Sequence, residues 1–104
     1  NIWINSDDLD IIALAKNSNI QSLIRPGNLS TDFTPTIDVL KHHVNHLINE
    51  NIVFDAIILL QPTNPFRDKN FVQNSIRIFE NSERESLATF SKSNAVCLKF
   101  FVIK

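Results

Sequence analysis

The sequence predicts an α/β fold built on an open, mostly parallel sheet. Two patterns predict it. Short β-like runs alternate with helical patterns along the 104 residues, and one run, residues 57–60, is apolar at every position. A continuous apolar run is typical of a strand buried on both faces, as in parallel sheets covered by helices. We therefore expect the order strand, helix, strand, helix, strand, helix, strand, strand within a single domain over residues 1–104.

Strand and helix patterns alternate most clearly in the first half of the chain. Residues 2–5 predict a short strand, and residues 20–24 predict a second one. Between them lies a helical pattern over residues 8–17, for which Ser6 and Asp7 supply N-cap chemistry. Arg25 and the Pro-Gly pair after it then predict a turn or loop.

The strongest helical pattern covers residues 36–49, where apolar residues recur at spacings of three, four and seven. They are Ile37, Leu40, Val44, Leu47 and Ile48. This spacing places them on one helical face. A further helix is predicted to begin at Asp68, with Val72, Ile76 and Phe79 on a shared face. Residues 86–90 and 96–103 predict two more strands.

Composition excludes several classes of function. The formal net charge is −1 with acids and bases interspersed, so no basic surface for nucleic acid or anionic membrane is indicated. The sequence has no apolar run long enough to span a bilayer. Its single cysteine, Cys97, cannot form an internal disulfide and is compatible with a reducing compartment. We expect a cytoplasmic protein that binds neither nucleic acid nor membrane.

Two features suggest an excerpt from a longer chain. The sequence contains no methionine and opens inside a predicted strand. It also contains a single glycine, Gly27, whereas loops that cradle phosphates need several so that backbone N–H groups can approach the anion. We therefore expect the sheet to be incomplete at both termini.

Polar residues follow three of the predicted strands. In open α/β sheets, ligands bind beyond the carboxyl ends of the strands. This rule selects residues 5–7, residues 25–26 and residues 61–67. In the last segment, two prolines stiffen the loop, because proline fixes its own φ and restricts the residue before it. Gln61, Thr63 and Arg67 would then point in fixed directions. The alternative is a plain strand-to-helix connection capped by Asp68.

Three stretches, SDDLDI, IRPGNLSTDFTPTIDVLKHHV and LLQPTNPFR, occur in an order and spacing that resemble the acylneuraminate cytidylyltransferases. The resemblance extends over about residues 2–92. Asn64 and Phe66 stand where the family usually has serine and leucine. The resemblance implies a three-layer, Rossmann-like nucleotidyltransferase sheet, of which this chain would be a central part.

The resemblance also implies a reaction. The anomeric hydroxyl of a nine-carbon sugar acid, sialic acid or a relative, would attack the α-phosphorus of CTP, giving CMP-sugar and pyrophosphate. Mg²⁺ would offset charge on the phosphates, and the intact protein would be a homodimer. Two alternatives stay open: a non-catalytic nucleotide-sugar-binding or interaction module of the same fold, and a cytidylyltransferase for an eight-carbon sugar acid.

Four residues are expected to bind the substrates. By resemblance, Arg25 lies near the cytosine, Thr34 lies in the loop around the base, and Thr36 lies at the base edge. A hydroxyl can read the donor and acceptor edge of a pyrimidine. The alternative role of Thr36 is a helix cap. Gln61 matches the glutamine that faces the sugar acid.

Other matched residues are expected to shape the loops or contact an anion. They are Asp7, Pro62, Thr63, Pro65 and Arg67. The catalytic groups, the triphosphate loop and the Mg²⁺ ligands are expected outside this stretch. We therefore expect the 104 residues alone to be inactive.

Three histidines lie on the predicted helix 36–49. His42 and His46 are four residues apart and share a face, a spacing that can hold a metal. No carboxylate or cysteine stands at a helpful spacing nearby, so a solvated helix face is the favoured interpretation. His43 lies near the apolar stripe and is expected to pack partly inside.

Overall fold

The computed structural model describes residues 1–63, 65–66, 68–90 and 98–103, with Phe90 and residues 98–103 described by their backbone alone. The chain forms two compact units, Asn1–Val53 and Phe54–Lys104. Both combine helices with strands, so the predicted α/β class is confirmed at this level. The single domain over residues 1–104 stays a prediction.

The first unit is a strand–helix–strand segment followed by a loop and a long helix. Its elements are β1 (Trp3–Ser6), α1 (Leu9–Asn17), β2 (Gln21–Ile24), a 3₁₀ turn (Gly27–Leu29) and α2 (Thr36–Asn49). Strands β1 and β2 pair in parallel, with Trp3 opposite Gln21 and Ser6 opposite Ile24. The parallel pairing matches the expectation, because two parallel strands need a crossover such as a helix between them.

The N-cap of helix α1 lies one residue later than Asp7, the predicted cap. Asp8 is the N-cap, and its carboxylate accepts hydrogen bonds from the backbone N–H groups of Asp10 and Ile11 at 2.8 and 3.4 Å. Ser6 supports this turn differently, since its hydroxyl accepts from the Asp8 N–H at 3.1 Å. The prediction that Asp7 caps α1 is therefore wrong, and its carboxylate is available for another partner.

In both helices of the first unit, the second residue after the last helical residue is an asparagine in the left-handed region. Asn19 and Asn51 have φ values of 56° and 55°. The N–H of the next residue then reaches back to the carbonyl five residues earlier, Ile20 to Ala15 and Ile52 to Leu47, both at 2.9 Å. This is the Schellman arrangement, in which asparagine stands where glycine is usual. It explains how two sharp helix ends form in a chain with one glycine.

The buried apolar residues of the first unit are few. Ile12 and Ala15 of α1 are 4% and 1% exposed, and Leu47 of α2 is 7% exposed. Ala15 and Leu47 are also the residues whose carbonyls close the two helix ends. The ends of the helices and the core of the unit therefore depend on the same residues.

The second unit is a helix and a three-stranded sheet. Its elements are β3 (Ile57–Leu59), α3 (Lys69–Glu80), β4 (Ser86–Phe90) and β5 (Leu98–Ile103), with strand order β3-β5-β4. Strand β5 runs antiparallel to both neighbours. The expected mostly parallel sheet is therefore wrong for this unit as described. Residues 91–97 are too short a connection for a parallel crossover, which needs a dozen or more residues.

Phe79 of α3 is the buried centre of the second unit. At 7% exposure it packs against a set of partly buried apolar residues, Ala56, Val72, Ile76 and Leu87. Helix α3 begins at Lys69, one residue after its predicted start, and Asp68 is its N-cap, accepting from the Asn70 N–H at 2.9 Å. The alternative interpretation of the preceding loop gave Asp68 this capping role. The prediction that strand β3 is buried on both faces is wrong, because Ile58 is 39% exposed. Burial on both faces of a strand needs a packed layer on each side of the sheet.

None of the helices among the described residues is long and apolar enough to cross a membrane.

Candidate functional site

The polar residues after β1 and β2 lie side by side. Because the strands are parallel and Ser6 is opposite Ile24, the residues that follow them, Asp7 and Arg25, leave the sheet at the same edge. The Arg25 backbone N–H donates to the Ser6 carbonyl at 2.9 Å, which extends the ladder by one bond. This carboxyl edge is where open α/β sheets bind ligands.

Asp7 and Arg25 form an ion pair at this edge. The Arg25 Nη2 donates to the Asp7 Oδ1 at 3.2 Å, and the two side chains are 26% and 50% exposed. The Arg25 Nε is buried and has no hydrogen-bond partner in the part of the chain that the structure describes. A guanidinium presents several N–H donors in a rigid fork. The ion pair therefore uses the Arg25 Nη2 as a donor and leaves the buried Nε–H without a partner among the described residues.

The loop after Arg25 is organised by its own hydrogen bonds. The Ser30 hydroxyl donates to the Pro26 carbonyl at 3.0 Å. The Thr34 hydroxyl accepts from the Thr31 N–H at 3.1 Å and lies 2.8 Å from the Thr31 hydroxyl. The Thr34 N–H donates in return to the Thr31 carbonyl at 3.1 Å. Short side chains bonding to nearby backbone in this way fix loops without regular structure.

Thr36 follows this loop as the first residue of α2. Pro35 is the N-cap, and no side-chain hydrogen bond caps the helix. The alternative that Thr36 caps α2 is therefore wrong. Its side chain is exposed, so its hydroxyl is accessible to a ligand.

Strand β1 also contacts helix α2 through aromatic rings that sequence reasoning missed. The Trp3 indole meets the rings of His43 and His46 edge-on, at centroid distances of 5.3 and 5.5 Å. The Asn5 side chain lies within hydrogen-bond distance of the His43 Nδ1, at 3.3 Å. The prediction of a solvated face is therefore wrong for His46 and also for His42, which is half-buried, while the partial burial of His43 is confirmed.

Burial lowers the pKa of His43 from its usual value of 6.5, and the charges of His46 and His42 lower it further. Desolvation disfavours the imidazolium form, and like charges on the same helix face act in the same direction. The neutral form of the His43 imidazole is therefore favoured where Asn5 and Trp3 meet α2. The alternation of β1 carried the signal that could have found this cluster, because Trp3 and Asn5 are two residues apart and share a face.

The second candidate segment lies in the other unit and follows β3. Gln61 is half-buried, whereas Pro62, Thr63 and Pro65 are exposed, and Pro62 and Thr63 form a turn. Phe66 is 96% exposed. Asn64 and Arg67 lie outside the described residues, so the expected role of Arg67 stays a prediction. The interpretation of residues 61–67 as a proline-stiffened loop likewise stays a prediction.

One curated protein is similar to nearly the whole chain. The chain is 25% identical over 94 residues to the N-acylneuraminate cytidylyltransferase of Escherichia coli O18:K1:H7 (strain RS218 / NMEC). The match covers 89% of this chain. The similarity supports the family relationship that the sequence motifs indicate. No family model matches the chain.

The chain spans 22% of the length of that cytidylyltransferase. Within the described residues, no group of three or more His, Cys, Asp or Glu side chains is arranged to hold a metal ion. These residues do not provide a site for the divalent cation that a cytidylyltransferase implies.

Proposed function

We propose that the intact protein carrying this chain couples CTP to a nine-carbon sugar acid, sialic acid or a relative. The products would be CMP-sugar and pyrophosphate. In this proposal the 104 residues belong to a single domain of the three-layer, Rossmann-like nucleotidyltransferase class. The 104 residues supply substrate recognition, and the intact enzyme supplies the rest.

The observation that carries the proposal is the similarity to the cytidylyltransferase. It covers 89% of the chain, so the relationship does not rest on one short motif.

Recognition of the cytosine is assigned to the first unit. Arg25 leaves the carboxyl edge of the β1–β2 pair, and the loop that contains Thr34 leads from it to Thr36. A cytosine edge offers both acceptors and a donor, which guanidinium N–H groups and hydroxyls can satisfy. The bonds between Thr31 and Thr34 hold the loop in shape before the ligand binds. Such preorganisation reduces the entropy lost on binding.

Recognition of the sugar acid is assigned to Gln61. A primary amide both donates and accepts, which suits a ligand rich in hydroxyl and acylamino groups. Pro62 and Pro65 flank Thr63 in the segment after Gln61, and proline limits the conformations available to such a segment. Pro62, Thr63, Pro65 and Arg67 would shape the loop or contact the anionic substrate.

The remaining requirements are placed outside this stretch. We propose that residues elsewhere in the intact protein hold Mg²⁺ and the triphosphate, and that the protein works as a cytoplasmic homodimer. When bound, the cation would neutralise developing charge on the phosphates. The isolated 104 residues would then show no turnover, because none of these groups would be present.

The proposal is tested with the intact protein by following pyrophosphate release. Reactions would contain Mg²⁺, one nucleoside triphosphate and one sugar acid, with nine-carbon and eight-carbon acids compared. We expect release that requires CTP and a nine-carbon acid together, and that falls sharply when UTP, ATP or GTP replaces CTP. A folded protein that binds CTP but does not release pyrophosphate with any of the sugar acids would favour the non-catalytic module. A preference for an eight-carbon acid would move the acceptor to that class.

A further inference from the structure

We infer that Asp7 is a positioning residue for Arg25, and that it fixes the guanidinium so that the sheltered Nε–H faces the nucleotide. This inference rests on the proposed function and names a residue that the proposal leaves as loop structure. Asp7 is not expected to touch the substrate itself. It would act through Arg25.

The geometry of the carboxyl edge supports this role. The backbones of the two residues are already held together, because the Arg25 N–H donates to the Ser6 carbonyl at 2.9 Å. The side chains then meet through a single bond, from Nη2 to the Asp7 Oδ1 at 3.2 Å. A long arginine side chain loses considerable rotamer freedom on ordering, and this contact orders it before any ligand arrives.

The alternative structural roles of Asp7 are filled by its neighbours. Asp8, not Asp7, caps α1 through the N–H groups of Asp10 and Ile11. Ser6 supports the same turn through the Asp8 N–H. The Asp7 side chain is half exposed, so the ion pair by itself adds little to folding stability. Its effect is therefore expected in the orientation of Arg25.

The Nε of Arg25 is the donor left for a ligand. It is buried and has no hydrogen-bond partner among the described residues, and buried donors are normally satisfied. A ligand acceptor at this edge would satisfy it. Arg25 would then use its fork in two directions, with Nη2 toward Asp7 and Nε toward the ligand. Lysine cannot do this because it carries one point charge on a flexible stem.

The test is a double-mutant cycle on CTP binding by the intact protein. Asp7→Asn and Arg25→Lys are made singly and together, and the Kd for CTP is measured by calorimetry. Asp10→Asn is the matched control, since it removes the same charge from an exposed residue of α1. We expect Asp7→Asn to weaken CTP about fivefold, at the upper end for an exposed ion pair. Asp10→Asn should leave the Kd unchanged.

The decisive comparison is between backgrounds. If Asp7 acts through Arg25, Asp7→Asn adds less than about twofold once Arg25→Lys is present, because residues that act together are not additive. In turnover assays, KM for CTP should rise while kcat stays the same. An equal fivefold effect in both backgrounds, or no effect of Asp7→Asn on a wild type that binds CTP, would overturn the inference alone. A wild type that binds no CTP would overturn the proposed function and the inference with it.

Discussion

The Trp3 indole lies edge-on to the His43 imidazole, with 5.3 Å between ring centroids and 78° between planes. The same indole meets His46 at 5.5 Å, and Asn5 reaches the His43 Nδ1 at 3.3 Å. Aromatic pairs prefer this edge-to-face geometry, which is worth about 0.5–1.5 kcal/mol beyond the area they bury. Strand β1, whose carboxyl edge carries Asp7, is thereby anchored to α2, whose first residue is Thr36.

The lowered pKa of His43 makes this anchor sensitive to acid. Burial, with the charges of His46 and His42, lowers the folded-state pKa below 6.5. The unfolded chain therefore binds more protons as the pH falls below that value. The stability from this residue is present above pH 6.5 and is lost as the pH falls through the lowered pKa. Urea denaturation of the intact protein at about pH 5 and pH 7.5 should show the lower stability in acid.

His43→Gln identifies the group responsible. Glutamine can keep a side-chain hydrogen bond to Asn5 but does not titrate. The variant should show a smaller loss of stability between the two pH values than the wild type. Lys41→Gln, at an exposed position of the same helix, should retain the wild-type pH dependence. An unchanged loss in His43→Gln would show that another group causes the effect.

The end of α2 depends on a left-handed asparagine. Asn51 has φ 55°, and a residue with an ordinary Cβ is strained there, whereas glycine is not. Asn51→Ala should lower the free energy of unfolding by about 1 kcal/mol. Asn51→Gly should be nearly neutral. Asn49→Ala is the control, because Asn49 is an exposed helical residue two positions earlier. A cost for Asn51→Gly equal to that for Asn51→Ala would contradict the strain argument.

Substitutions at Thr36 can distinguish a role in nucleotide binding from a role in helix capping. Its side chain makes no capping bond, so Thr36→Val should change the free energy of unfolding by less than about 0.5 kcal/mol. If the hydroxyl reads the base, the same change should weaken CTP binding about five- to tenfold, as loss of one hydrogen bond does. Thr36→Ser should retain most of the affinity. Calorimetry and thermal denaturation of both variants provide the two readouts. Unaltered CTP affinity in Thr36→Val would remove Thr36 from the base site.

Gln61 is assigned to the acceptor and not to the nucleotide. In the intact enzyme, Gln61→Ala should raise KM for the sugar acid about tenfold, the effect of losing a hydrogen bond to a polar ligand, and raise KM for CTP much less. Gln73→Ala, on the exposed face of α3, serves as the control. Steady-state kinetics with each substrate varied in turn would measure both values. Equal increases for the two substrates would place Gln61 elsewhere.

Much of the local structure follows from sequence patterns. The bounds of α2 and β4 match the prediction. For α2 the reason is the regular spacing of its apolar residues. The cap of α1 was misplaced by one residue, since Asp7 and Asp8 have the same chemistry. Only the backbone path decided that Asp8 caps the helix and Asp7 pairs with Arg25.

Long-range relationships were harder to predict. An apolar run such as residues 57–60 indicates a strand but carries no information on direction, so the antiparallel β5 was missed. The short connection over residues 91–97 was the better indication of strand direction, because a parallel crossover needs a dozen or more residues. The pairing of Asp7 with Arg25 needs the register of β1 and β2, and the contact of Trp3 with His43 needs the packing of α2. Neither is encoded in the spacing of residues along one element.

The central claim is that the intact protein joins CMP to a nine-carbon sugar acid. Mass spectrometry of the products is its most direct test. The protein would be incubated with CTP, Mg²⁺ and an equimolar mixture of nine-carbon and eight-carbon sugar acids. We expect one dominant new species with the mass of a CMP–nine-carbon conjugate, formed together with pyrophosphate. Consumption of CTP without any CMP-sugar, or conjugates of the eight-carbon acid alone, would contradict it.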